Sequence, residues 1–111
     1  MEITYEDFRK VDIRIGTVLS VKNNVKAHQP ALVLEIDFGN KIGIKTTSAK
    51  ITDYYDQENL IGEQIIAVCN FPIKNIAGVK SEVLVLGAME EGAKVVLVHP
   101  SKKVANGLEI I

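Results

Sequence analysis

From Asp12 to Lys22 the side chains keep a period of two. Ile13, Ile15, Thr17, Leu19 and Val21 fall at every second position, with Asp12, Arg14, Gly16, Ser20 and Lys22 largely between them. Successive side chains of a strand point to opposite faces, so this run predicts one long strand with a core-facing row. Gly16 is expected to let that strand bend over a barrel edge. Leu32, Leu34, Ile36 and Phe38 repeat the pattern, with Glu35 and Asp37 turned outward. Gly39-Asn40 then reads as a two-residue hairpin turn, glycine supplying the positive φ of a type II′ geometry. The return strand is expected to place Ile42, Ile44 and Thr46 inward and Lys41, Gly43, Lys45 and Thr47 outward.

The remaining segments complete a small all-β protein. Thr4 with Asp7 three residues later forms a capping-box pattern, which predicts a helical turn over Tyr5 to Arg9 with Phe8 packed inward. Asn23-Asn24 and Gln29-Pro30 bracket a loop that holds Lys26 and His28. Between Ser48 and Asn59 alternation is lost, and Ile51, Tyr54 and Tyr55 at helical spacing predict a short helix stopped before Gly62. Apolar runs at Ile65–Cys69 and Val83–Leu86 predict two strands joined by a long loop. Pro72 stiffens that loop by fixing φ, and Gly78 permits a turn. Val95–Val98 reads as a sixth short strand, and Pro100 and Asn106-Gly107 break the tail. A closed or nearly closed β-barrel fits this order of elements, and a β-sandwich of the same strand count meets the period equally well.

Composition narrows the function. The 111 residues make one domain, 1–111, and 47% of them are hydrophobic, as in a globular protein. Aromatic residues are only 5%, with no Trp, which disfavours nucleic-acid binding through rows of stacked rings. The net charge is −1, from 13 basic and 14 acidic side chains, so any grip on a polyanion must come from a local patch. Cys69 is the only cysteine, which fits a reducing compartment. Met1-Glu2-Ile3 opens without a basic segment or apolar signal core, and no run approaches membrane-spanning length, so a cytoplasmic protein without membrane insertion is expected. His28 and His99 stand alone, without ligands at metal spacing. Gly39 and Gly43 do not form a phosphate loop, and Glu90-Glu91 reads as a solvated turn. Cys69 sits within an apolar run, as a small core residue does. No catalytic pair, metal or cofactor is expected.

The basic residues are informative through their placement. Lys41, Lys45 and Lys50 fall in a stretch of ten residues without an acid, and Lys74 and Lys80 flank the loop after Asn70, which has none before Ser81. Shared on one side of a barrel, these ammonium groups would contact phosphates and release condensed counterions. Ordinary solvated lysines account for the same pattern, and Glu35 and Asp37 nearby would partly neutralise it. The acidic run Asp53, Asp56, Glu58 and Glu63 is unsuited to a polyanion. Val83–Leu86, Val95–Val98 and Leu108–Ile111 are apolar on both faces, more than a small barrel can enclose. A second copy of the chain or an unfolded polypeptide would cover the excess.

Val-Asp-Ile-Arg-Ile-Gly at 11–16, Tyr-Asp-Gln-Glu-Asn-Leu-Ile-Gly at 55–62 and the stretch Asn70–Ala88 together resemble the family of free-standing and appended tRNA-binding domains with an OB-fold. Ser81-Glu-Val-Leu-Val-Leu-Gly and the short tail after Asn106-Gly107 are most similar to its branch of secretion-related chaperones. The resemblance implies a five-stranded OB barrel over about residues 11–89, a short helix between strands three and four, and terminal extensions in contact across a homodimer. It implies tRNA recognised by shape and backbone, with Asn70, Lys74, Lys80 and Ser81 on the RNA-binding side; Lys41 and Lys45 join them from the basic stretch. For the chaperone branch it implies binding of precursor polypeptides and contact with the export motor ATPase. The alternative is a tRNA-binding module that serves a tRNA-handling enzyme. One departure stands out: relatives continue Ser-x-Gly-Met, and this chain has Ser81-Glu82-Val83-Leu84.

Overall fold

A computed structural model describes residues 1–111. Its centre is a nearly closed antiparallel barrel of five strands: β1 (Ile13–Asn23), β2 (Leu32–Asp37), β3 (Ile44–Ala49), β4 (Gln64–Val68) and β7 (Leu84–Val85), in the order β3-β2-β1-β4-β7. Two ribbons stand apart from it, β5 (Lys74–Ile76) with β6 (Val79–Ser81), and β8 (Gly87–Glu90) with β9 (Lys94–Leu97). The short helix between the third and fourth barrel strands is present as α3 (Gln57–Leu60), and no helix is long and apolar enough to cross a membrane. Before the barrel, α1 (Tyr5–Arg9) begins with both bonds of the Thr4–Asp7 capping box, as its spacing predicts, and Phe8 is half-buried.

The first strand differs from its reading in one respect that changes its faces. Val18 pairs with Ile36 and Val21 with Leu34, so β1 carries a bulge between Val18 and Ser20. One extra residue shifts the pleat, leaving Leu19 44% exposed while Val18 and Val21 are buried. Ile13, Ile15 and Thr17 therefore lie on the other face from Val18, and the chain's tail crosses there: Thr17 Oγ1 donates to Asn106 Oδ1 at 2.7 Å. Gly16 also has a packing role. A Cβ there would stand 2.6 Å from Ile36 Cγ2 and 2.8 Å from Phe38 Cδ1, so glycine is required for close packing over the second strand.

Leu32, Leu34, Ile36 and Phe38 of the second strand and its end are all buried, as alternation predicts, and form one cluster with Ile51, Leu60, Ile65 and Val83. The hairpin that follows is not a two-residue turn. Asp37 Oδ1 accepts the Gly39 N–H at 2.8 Å, Gly43 N–H donates to Gly39 O at 2.7 Å, and a single helical turn, α2 (Gly39–Ile42), fills the connection. Asp37 then pairs with Ile44 and Leu34 with Thr47. The return strand is thereby reversed from the expected faces: Ile44 is 58% exposed and Thr47 is buried at 2%. The helix expected between Ser48 and Asn59 is shorter and later, because Ser48 and Ala49 continue β3. Asp56 starts α3 by accepting the Asn59 N–H, and only then does the chain turn helical. Ile51 still packs in the core, while Tyr54 is exposed.

Substituting Gly16→Ala forces a methyl against Ile36 and Phe38, and overpacking of this kind costs about 1–3 kcal/mol. Urea unfolding should read this as a lower midpoint with an unchanged slope.

Candidate nucleic-acid interface

The segment read as a long loop between two strands is a ribbon. Asn75 Oδ1 accepts the Gly78 N–H at 3.1 Å, and Ala77 and Gly78 both take positive φ, 48° and 82°, at its tip. Its register pairs Lys74 with Ser81, Asn75 with Lys80 and Ile76 with Val79. Facing pairs share a side, so Ser81 and the half-buried Ile76 and Val79 turn toward the barrel, and Lys80 and Asn75 turn away from it. Lys74 lies on the Ser81 side and is exposed. The two ribbon lysines thus occupy opposite faces of one narrow element.

The ribbon is fastened to β3. Thr47 Oγ1 lies 2.7 Å from Ser81 Oγ and donates to the Val83 carbonyl at 2.7 Å, and Ser48 N–H donates to Ser81 Oγ at 3.4 Å. Lys45 lies two residues before Thr47 on the same strand, with its Nζ 3.7 Å from Glu82 Oε2, just past the ribbon's end. Lys41 falls in α2, at the start of β3, whereas Thr47 and Ser48 meet the ribbon nearer the strand's far end. Of the expected site residues, then, Lys45 and Ser81 lie where the ribbon meets β3, Lys74 and Lys80 extend from opposite faces of the ribbon, and Lys41 stands off before β3 begins.

Asn70 and Ser81 have internal partners. Asn70 Nδ2 donates to the Lys10 carbonyl at 2.7 Å and its Oδ1 accepts the Asp12 N–H at 3.0 Å, a clamp between the end of the fourth strand and the chain entering the first. Ser81 is 9% exposed, its hydroxyl engaged with β3. One basic residue belongs beside the ribbon that the sequence did not single out. Lys26 lies in the loop between the first two strands, its Cδ 3.3 Å and its Nζ 3.6 Å from where a Gly78 Cβ would stand. Asn24 holds that loop, donating to Ser48 Oγ at 3.2 Å. Nothing local marks Lys26, since its neighbour is more than fifty residues away.

Other chemistry is weak. No three His, Cys, Asp or Glu side chains converge as metal ligands would. Burial pushes the Cys69 thiol up to about 11, the reverse of what a nucleophile needs. Two open clefts, of about 460 and 500 Å³, lie beside α3 and away from the ribbon, the first rimmed by His99, Lys102 and Lys103. Exposed apolar side chains are spread over the chain; Leu84, Met89, Val96 and Val98 lie on or next to β7 and the second ribbon, and Ile3, Phe71 and Ile73 lie elsewhere.

Comparison with known proteins places this geometry. The family model described as "Putative tRNA binding domain" matches residues 13–109. The crystal structure of the chaperone CsaA from Bacillus anthracis str. Ames is 50% identical, with a TM-score of 0.94 and 100% of both chains covered. That of the CsaA chaperone protein from Picrophilus torridus is 47% identical, with a TM-score of 0.92 over 99% of this chain and 100% of that one. A methionine–tRNA ligase of Porphyromonas gingivalis is 34% identical over 109 residues, 98% of this chain but only 16% of the ligase. The chain belongs to the family of tRNA-binding domains.

Proposed function

We propose that the chain is a non-catalytic binding protein of the cytoplasm, an export-related chaperone that, as a homodimer, holds precursor polypeptides and tRNA. The observation that carries the tRNA half is the lysine-bearing ribbon within a chain matched over residues 13–109 by a tRNA-binding family model. Lys45, Lys74 and Lys80 contact phosphates at the ribbon edge, Lys41 reaches a neighbouring one, and Lys26 adds a contact at the tip. Asn70 and Ser81 are RNA-side residues too. Asn70 is exposed and retains a proton and a lone pair for backbone or 2′-hydroxyl groups. Ser81 holds the ribbon base against β3. Shape and backbone, not base sequence, are what such a surface reads.

The chaperone half is supported by likeness along the whole chain to proteins described as CsaA chaperones. In this reading the whole of 1–111 acts as one domain. The second ribbon and the terminal extensions meet a second copy, and clients bind apolar surface near that seam. Contact with the export motor ATPase belongs to the same proposal. The second reading, a module that presents tRNA to an enzyme, is favoured by the ligase relative, in which the matching segment is a small part of a longer protein.

Salt separates the two ligands. The tRNA complex should weaken steeply as salt rises, and replacing Lys74 and Lys80 together by alanine should flatten the log–log salt slope by about 2. Suppression of client aggregation by the same variant should be unchanged, and equal loss of both activities would refute separate surfaces. Met89→Glu, in contrast, puts a charge on the exposed second ribbon and should turn the dimer into monomer by light scattering, with tRNA contacts per protomer retained.

A further inference from the structure

The segment that closes the barrel carries an unusual bond. Glu82 N–H donates to the Thr46 carbonyl at 2.8 Å, as strands in a sheet do. Thr46 N–H does not find a carbonyl in return. It donates to the Glu82 side chain, to Oε1, at 3.0 Å, and the other carboxylate oxygen, Oε2, faces Lys45 Nζ at 3.7 Å. One carboxylate thus takes a main-chain amide and an ammonium from adjacent residues of β3. That is the set of donors that holds a phosphate oxygen. Glu35, which pairs with Thr46 from the second strand, is engaged elsewhere, accepting from Ser20 Oγ at 2.7 Å.

We infer that Glu82 is a specificity-determining residue: its carboxylate fills an anion site made by Lys45 and the Thr46 amide, and an incoming phosphate must displace it. The inference rests on the reading of this edge as a phosphate-backbone surface and names what the edge rejects. The side chains of Lys45 and Glu82 are 34% and 27% exposed, so solvent screens the pair and it holds weakly. A single free anion gains only one contact and competes poorly with a carboxylate that is already in place. A nucleic-acid backbone anchored by Lys74 and Lys80 presents its next phosphate at high effective concentration and drives Glu82 out. The residue therefore favours multivalent phosphate over isolated anions.

The test uses the full chain and two probes. With inorganic phosphate at constant ionic strength, the Thr46 amide resonance should move saturably in Glu82→Ala and stay still in the unaltered chain. Glu82→Gln, which frees Lys45 yet still covers the amide and keeps the barrel edge bonded, should respond in between. Adding Lys45→Met to Glu82→Ala should abolish the response. With tRNA at low salt, Glu82→Ala should bind about three- to tenfold tighter, with a salt slope steeper by about 1. An identical Thr46 response in the unaltered chain and Glu82→Ala, present or absent, overturns the inference. A saturable phosphate response without any gain in tRNA affinity overturns its claim about nucleic-acid backbone. Should tRNA retention by the unaltered chain ignore both salt and the Lys74 and Lys80 substitutions, the RNA reading itself falls, and the phosphate arm still decides whether the site exists.

Discussion

Closure of the barrel at Thr47 is the contact on which the placement of the candidate site depends. Its hydroxyl, buried at 2% exposure, bridges Ser81 Oγ and the Val83 carbonyl. Those two partners are the last residue of one ribbon and the residue entering the last barrel strand. A buried hydroxyl without partners costs about 1–3 kcal/mol, so the bond selects one register for everything between Lys74 and Val85. Shift that register by one residue and Ser81 leaves the core, Glu82 enters it, and the ribbon lysines exchange faces. β7 itself holds little of this edge, being only two residues long and paired with the fourth strand at Ala67 and Val68. The fastening therefore falls to Thr47, the Glu82–Thr46 bonds and the buried Val83.

What could be read beforehand follows the range of the interaction. The capping box of α1 and the alternation of the second strand are settled by residues within a few positions of one another, and both were legible. The bulge at Leu19 was not, because the repeat of apolar residues from Ile13 to Val21 continues through it. Only the partner strand, which sets Val18 opposite Ile36, reveals the extra residue. The Gly39 turn misled for a related reason. Glycine's positive φ, 87°, was anticipated, but its site is also pressed by Asn106 O, 2.7 Å from where a Cβ would stand, and the tail's position is not a local property. Reversal of the third strand's faces followed from that one turn, and with it the burial of Thr47.

The candidate site divides in the same way. That lysines cluster after Asn70 was visible as composition; that Lys74 and Lys80 sit on opposite faces of a ribbon was not, since the stretch has too few alternating residues to announce two short strands. Lys45 illustrates the limit most clearly. Its charge was legible, and its partner was not, because Glu82 reaches it only after the barrel closes. A net charge of −1 over the chain is thus compatible with a local cationic edge, and the magnitude of that edge is set by which acids fold back onto it.

The two ribbons are held apart on this small barrel, and their connections explain how. The second ribbon hangs from the barrel through consecutive tyrosines. Tyr55 Oη accepts the Leu97 N–H at 2.8 Å, with Leu97 buried in the core, and the Tyr54 hydroxyl donates to Glu90, a bond that raises the phenol's pKa. Both tyrosines precede α3, on the segment carrying Asp53, Asp56 and Glu58. The apolar ribbon is therefore fixed beside the acidic part of the chain, and the lysine ribbon is fixed to β3 through Thr47 and Ser81. The acidic segment and the lysine ribbon are thus anchored at different parts of the barrel, and a polyanion that approaches the chain meets opposite charge at the two.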